Sequence, residues 1–354
     1  MRADLRRFVV LTLAALFTAT GLLARDPLVV GSAAAGAGQK VSGWIDVPRG
    51  TDEGTKIPVT VAHGAKGGPV LALIAGTHGY EYTAILALHR VAAALHPARM
   101  SGSVILVHMA NPTTFYGRRV YYGPDGKNLN RMYPGDRSGT ISERIAHAIT
   151  THVIDQSTHV IDMHCGDGNE SLRPYSYWMP IGDEKVDGPA RDMVLAYGLD
   201  HIVIDRTPPA DPKKPLYTST TAMVRGKPAI TTESGAMGLT DEASIEAHVA
   251  GALSVVDHLQ IMDAPSVRVT HPVWYEKTEV LRAPVTGIWR PAVDRMHTVA
   301  KGALVGRILD PFANVLREIR APFAGEILYV LGTPPVTAGE PLAMVAAPAL
   351  EDRP

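Results

Sequence analysis

Residues 69–81 read Pro69-Val70-Leu71-Ala72-Leu73-Ile74-Ala75-Gly76-Thr77-His78-Gly79-Tyr80-Glu81. The first seven form an unbroken apolar run, the pattern of a strand buried on both faces of a parallel sheet. Apolar residues then recur at helical spacing, Ile85, Leu86, Leu88, Val91, Ala92 and Leu95, which predicts a helix over 81–95. Gly76 to Glu81 is therefore a tight strand-to-helix turn, with His78 inside it and Glu81 opening the helix. An imidazole and a carboxylate so placed can share one metal ion. Zinc in a hydrolase typically takes two His and one carboxylate and leaves a fourth position for water. The turn thus predicts a second His on a strand end downstream, an Arg for substrate charge and a Glu to act as base.

Outward from this turn the chain alternates strands and helices. Val41–Val47 and Lys56–His63 predict a hairpin at a sheet edge, and Val104–Met109 a second buried strand. Asn111 to Asp136 is rich in Gly, Pro, Asn and Arg without periodicity, a loop long enough to be functional. Thr140–Ile154 predicts a helix with Thr140 or Ser142 as cap, and Thr158–Met163 a third buried strand. Further strands are expected at 176–180, 201–205 and 228–233, and helices at 188–198, 216–225 and 240–262, the last capped by Thr240. This order gives an α/β fold, a mixed but mainly parallel sheet flanked by helices.

The pattern changes after Asp263-Ala264-Pro265. Short strands separated by Gly and Pro follow, and Arg282-Ala283-Pro284-Val285-Thr286-Gly287-Ile288 is echoed by Arg320-Ala321-Pro322-Phe323-Ala324-Gly325-Glu326-Ile327. Such a repeat suggests two quasi-equivalent hairpins in a small all-β barrel-sandwich domain over 265–350, after a catalytic domain over 25–264. No lysine sits at a hairpin tip as a carrier module requires, so the domain is read as architecture.

Composition narrows the partners. The 354 residues are 46% hydrophobic and 19% charged, with a formal net charge of −1, which favours neither nucleic acid nor an anionic membrane. The single cysteine, Cys165, excludes an intrachain disulfide. Arg2, Arg6 and Arg7 precede an uncharged apolar run, Phe8 to Ala24, so residues 1–24 read as a secretory signal peptide. Export to the periplasm or beyond is expected, without stable membrane insertion once the signal is removed.

The predicted chemistry is present downstream. His164 ends the strand Thr158–Met163, where open α/β sheets place ligand-binding residues. His78, Glu81 and His164 complete a set for one Zn²⁺. Either His alone would be an ordinary structural residue; the turn and the strand end together make the case. Cys165 is expected to face away from His164 and pack. The long loop carries Arg118, Arg119 and Asn128-Leu129-Asn130-Arg131. Arginine is the natural fork for a carboxylate, so these residues suggest one cation for a substrate carboxylate and one for an oxyanion. Glu233, in Thr231-Thr232-Glu233-Ser234-Gly235, closes a strand and is the candidate base. Asp167, Asn169, Glu170, Arg173, Tyr175 and Tyr217 are further pocket candidates without an assigned role.

The motifs G-T-H-G-x-E, D-G-K-N-L-N-R-x-Y-P-G, D-M-H-C-G and T-x-E-S-G, in this order over roughly residues 69–240, resemble the zinc carboxypeptidase-like superfamily. More closely they resemble the succinylglutamate desuccinylase/aspartoacylase family. The resemblance implies zinc on His78, Glu81 and His164, and a scissile carbonyl polarised by Arg119, with Arg118 as the lesser candidate. It also implies a substrate carboxylate on Asn130 and Arg131, and Glu233 as general base and then acid. Asn128 departs from the pattern: relatives often carry an Asp there that orients a zinc-bound His.

The expected activity is zinc-dependent cleavage of an amide bond in an N-acyl amino acid or similar small carboxylate. The alternatives are a metallocarboxypeptidase acting on short peptides or cell-wall fragments, and a binding protein with a metal-bearing crevice. An intact Glu233 argues against the last, because a binder needs no base.

Overall fold

The computed structural model describes residues 25–207 and 209–349. The signal peptide expected over 1–24 lies outside the described residues. Among them no helix is long and apolar enough to cross a membrane.

One large mixed sheet organises the molecule. From one edge its strands run Gln39–Val47, Thr55–His63, Ser101–Val107, Lys66–Ala75, His159–Gly166, Ala229–Ala236, Tyr175–Trp178, His201–Ile204 and Val273–Arg282. Lys66–Ala75 pairs in parallel with both Ser101–Val107 and His159–Gly166, and the latter pairs in parallel with Ala229–Ala236. The edge hairpin is antiparallel, from Gln39 opposite His63 to Val47 opposite Thr55, and Ala229–Ala236 pairs antiparallel with Tyr175–Trp178. The central strands are apolar along their length because both faces are covered; Leu71 to Ala75 and Val104 to Val107 are fully buried.

Helices Tyr82–Ala94, Glu184–Tyr197 and Glu242–His258 pack against one another over the sheet. The first is shorter than expected because Glu81 leaves helical geometry, at φ −80° and ψ 57°, and becomes its N-cap. The long helix is capped by Asp241, not Thr240: the Asp241 carboxylate accepts from the Ser244 amide at 2.9 Å. Helix Ile141–Ile149 begins at a Thr140–Glu143 capping box and continues as a π-turn to Ile154. The segment 111–136, expected as irregular loop, holds a short helix at Pro112–Gly117 and a 3₁₀ turn at Leu129–Arg131. Helix Thr218–Met223 is shorter than the expected span of 216–225. His164 lies inside its strand, which runs on to Gly166.

The C-terminal region is all β. A four-stranded sheet, Val315–Arg320, Leu304–Leu309, Gly287–Pro291 and Pro335–Val336, shares a core of Trp289, Val305, Ile308, Ile327, Leu342 and Val345 with strands of the large sheet. Ala283 and Ala321, equivalent positions of the two R-A-P segments, are both buried there. The Val273–Arg282 strand belongs to both halves. Val273 to Tyr275 pair in parallel with His201 to Val203, and Tyr275 to Arg282 pair antiparallel with Pro348 to Pro341.

Candidate active site

The strand-to-helix turn is shaped by close approach. Gly76 has φ +70°, and a Cβ on Gly79 would lie 2.1 Å from the Arg119 carbonyl oxygen. The Gly79 amide donates to the Val120 carbonyl at 3.1 Å. The long loop is thus seated directly on the turn, and His78 and Glu81 point inward. Glu81 Oε2 accepts from the His78 backbone amide at 2.9 Å, and Glu81 Oε1 lies 2.8 Å from His78 Nδ1 and 2.5 Å from His164 Nδ1. Glu81 is completely buried.

The far sides of both rings identify the donor atoms. His164 Nε2 faces Asp162 Oδ2 at 2.9 Å, and His78 Nε2 faces Asn128 Oδ1 at 3.1 Å. A carboxylate only accepts, and Asn128 Oδ1 also receives the Asn130 amide at 2.9 Å, so these partners favour the tautomer with the proton on Nε2, which frees Nδ1 of each ring to bind a metal. In that tautomer two Nδ1 lone pairs and a carboxylate oxygen converge, an arrangement able to hold a cation. This donor set fits Zn²⁺, and the outward acceptors are those that orient metal-bound histidines. Among the described residues His78, Glu81 and His164 are the group able to hold a metal ion.

The electrostatics agree. Burial alone would raise the Glu81 carboxyl, but His164 and His78 outweigh it and bring it down to about 2. Burial likewise works against charge on His164, yet Asp162 and Glu81 push this ring well above its ordinary value; Asp167 and Glu81 do the same for His78. Glu81 is held ionised by the two rings, and the rings answer the carboxylates around them, so the three groups stabilise charge on one another.

Glu233 stands opposite His164 in the pairing of their two strands. It is partly open to the cavity, while its Oε2 is screened and has no hydrogen-bond partner. Burial raises its carboxyl well above the usual range; His164 pulls down, and Glu81, Glu170 and Asp167 push further up. Cys165 alternates to the other face and is buried, with Sγ 3.8 Å from the Tyr80 carbonyl; burial pushes its thiol up.

His78, His164 and Glu233 floor a cavity of about 1120 Å³, with Glu81 buried beneath them. One wall is Lys127, Asn130, Arg131 and Tyr217; another is Tyr121, Asp167 and Glu170; Thr278, Arg282, Tyr329 and the 337–341 turn of the C-terminal region roof it. Arg131 stacks on Tyr217, its Cζ 4.5 Å from the ring centre. Asn130 reaches the cavity, but its side chain is engaged internally: Oδ1 accepts from Thr218 N and Oγ1 at 2.9 and 3.1 Å, and Nδ2 donates to Asp162 at 3.4 Å. Arg118 and Arg119 are not brought to this cavity. Arg118 terminates helix Pro112–Gly117 with φ +52°, and both side chains are exposed. A second, largely apolar cavity of about 710 Å³, between Trp44, Tyr82 and Phe115, holds none of the His–Glu–His cluster.

Asp162, Tyr121 and Asp167 carry no site role in the sequence reading. Asp162 was discoverable, since two residues before His164 on one strand is the same face. Tyr121 packs edge-on to His78, with ring centres 5.5 Å apart. Arg173 pairs with Glu326 and so ties the catalytic half to the C-terminal strands, and Tyr175 bonds the Tyr177 hydroxyl at 3.2 Å.

Fold and site together define a mixed α/β protein with a candidate mononuclear metal centre at the carboxyl ends of its central strands. The chain belongs to the succinylglutamate desuccinylase/aspartoacylase family: residues 67–259 match that family's catalytic domain. It is 27% identical, over 86% of its length and 90% of the relative's, to the N-alpha-acetyl-L-2,4-diaminobutyric acid deacetylase of Halomonas elongata. A succinylglutamate desuccinylase from a Silicibacter species superposes with TM-score 0.78 at 22% identity, covering 92% of this chain and 98% of that one. The product-bound ectoine utilization protein EutE of Ruegeria pomeroyi gives TM-score 0.77 at 23% identity, covering 87% and 95%.

Proposed function

We propose that this protein is a zinc-dependent deacylase that hydrolyses the amide bond of a small N-acyl amino acid, and that it acts after export. The observation that carries the reading is the convergence of His78 Nδ1, His164 Nδ1 and Glu81 Oε1 beside the unpartnered Glu233 Oε2 at the floor of a roofed cavity. The named activity of the Halomonas elongata relative supports the reaction type.

His78, Glu81 and His164 would hold the zinc ion, which would supply Lewis acidity for activating water and polarising the amide carbonyl. Asp162 and Asn128 keep the two rings in the tautomer that presents Nδ1. Glu233, its carboxyl raised by burial, accepts a proton from the attacking water and returns it to the leaving amide nitrogen. Arg131, held flat by Tyr217, receives the substrate carboxylate. Asn130 positions Asp162 and the Thr218 helix start. Arg118 and Arg119, exposed outside the cavity, take no part in this scheme. The C-terminal strands, which we read as a barrel-sandwich module, roof the cavity and favour compact substrates over peptides.

Zinc-loaded protein incubated with a panel of N-acyl amino acids and short peptides, with products read by mass spectrometry, tests the proposal. Release of free amino acid from N-acyl amino acids is expected. Cleavage of peptides alone would replace this reading with a carboxypeptidase, and binding without turnover would refute catalysis.

A further inference from the structure

The two strands that carry His164 and Glu233 lose their register just beyond these residues. Glu233 stands opposite His164, but the next pair is Ala236 opposite Gly166, so Ser234 and Gly235 face the single residue Cys165. This is a β-bulge, an irregularity that re-aims neighbouring side chains. Gly235 adopts φ +111°, and a Cβ there would lie 2.6 Å from Thr83 Oγ1.

The bulge is gripped from behind the sheet. His248, on the helix Glu242–His258, is completely buried. Its Nε2 lies 2.9 Å from the His164 carbonyl oxygen and 3.1 Å from that of Ser234. Carbonyls only accept, so Nε2 carries the proton and one N–H is shared between the two strands. The Tyr197 hydroxyl faces Nδ1 on the far side of the ring at 2.7 Å. Thr83 Oγ1, from the helix Tyr82–Ala94, donates to the same Ser234 carbonyl at 2.6 Å. Leucine would fill this space without burying a polar ring. What histidine adds is an N–H aimed at two backbone atoms, one on His164 and one directly after Glu233.

Resting on the deacylase reading, we propose that His248 is a positioning residue: its shared N–H fixes the bulge and thereby the separation between the His164 imidazole and the Glu233 carboxylate. His248 lines no part of the cavity, so it acts only through the backbone of these two strands. Thr83 supports the same carbonyl from the second helix. Moving a base by about an ångström costs up to about a hundredfold in rate, while groups that bind the substrate carboxylate stay where they were.

The test uses two amides of different reach. Glutamine places its side-chain nitrogen near the position of Nε2, whereas asparagine reaches only that of Nδ1. In zinc-loaded full-length protein, His248→Asn is expected to lower kcat on an N-acyl amino acid by about tenfold or more with KM within about twofold. Zinc content, read by elemental analysis, stays at the wild-type value. His248→Gln recovers most of the loss. Thr83→Val removes the other donor to Ser234 at nearly constant volume and moves kcat in the same direction; it decides if His248→Asn fails to fold. A role in packing alone would lower the melting temperature of both His248 variants without separating them in kcat. Crystal structures read the geometry without turnover: Ser234 and Gly235 shift away from the His164 strand in His248→Asn and stay in place in His248→Gln. Equal kcat in the two variants, or an undisplaced bulge in His248→Asn, overturns the positioning role and leaves the deacylase reading standing. Failure of the wild type to hydrolyse any N-acyl amino acid overturns that reading and the catalytic role of the clamp with it, and the crystal comparison then still decides whether His248 holds the bulge.

Discussion

Asp162 offers the sharpest test of the candidate metal centre, because it backs His164 and does not line the cavity. Its Oδ2 lies 2.9 Å from His164 Nε2, Asn130 Nδ2 is 3.4 Å away, and the residue is completely buried. Replacing it with Asn keeps the volume but removes the charge behind the imidazole. A charge-assisted hydrogen bond contributes about 1.5–3 kcal/mol, which corresponds to roughly 10- to 100-fold in zinc affinity, the range found for partners of metal-bound histidines. Asp162→Ala loses the orientation as well and falls at or beyond the upper end. Competition titration against a chromophoric zinc chelator gives the affinity, and thermal unfolding with circular dichroism verifies the fold. A conservative variant that folds normally and binds zinc within about twofold of the wild type would refute the role assigned to Asp162. The reciprocal change, Asn128→Asp, places a full charge behind His78 and is expected to tighten zinc binding.

Three other outcomes follow from the same geometry. Glu233→Gln should lower turnover by about 10²- to 10⁴-fold while stoichiometric zinc, read by elemental analysis, is retained; undiminished kcat would exclude Glu233 as the base. Arg131→Ala should raise KM by about tenfold or more, with only partial recovery in Arg131→Lys because the flat stacking on Tyr217 is lost, whereas Arg119→Ala should change kcat/KM less than about threefold, as for other exposed positions; a hundredfold loss in the latter would mean that the loop carries its side chain into the cavity during turnover. Asp125 governs acid stability: burial raises its carboxyl, but hydrogen bonds from Thr140 and Ser142 outweigh this and hold it below its ordinary value. Its contribution is therefore complete above the unfolded carboxyl pKa, near about 4, and is lost as pH falls through the depressed folded value. Asp125→Asn should flatten that acid limb in denaturant melts; an unchanged limb would count against it.

The sequence brought the candidate His78–Glu81–His164 cluster into view because each residue sits where backbone pattern dictates direction. The apolar run 69–75 and the glycines around His78 specify a turn, and the buried pattern before His164 specifies a strand whose end points into a crevice. The strand position of Glu233, opposite His164, was legible for the same reason. The arginines were not. Nothing in a periodicity-free loop says which way a side chain points, and here Pro112–Gly117 winds into a helix that turns Arg118 and Arg119 outward. Asn130 illustrates a different limit. Its position was legible, but the Thr218 helix start that occupies its Oδ1 comes from a segment 88 residues away. The helix boundaries moved for local reasons: Asp241 out-competes Thr240 as a cap through its bond to Ser244, and Glu81 is drawn from helical geometry by its two imidazoles.

The strand Val273–Arg282, shared between the halves, has a mechanical consequence. Its first residues are hydrogen-bonded into the catalytic sheet beside His201 to Val203, and the rest into the strand that ends at Pro348. The two ladders meet at Tyr275, so swinging the C-terminal strands away would require breaking one of them or bending the strand beyond that residue. The C-terminal face of the cavity is therefore anchored to the large sheet by backbone hydrogen bonds rather than by side chains alone.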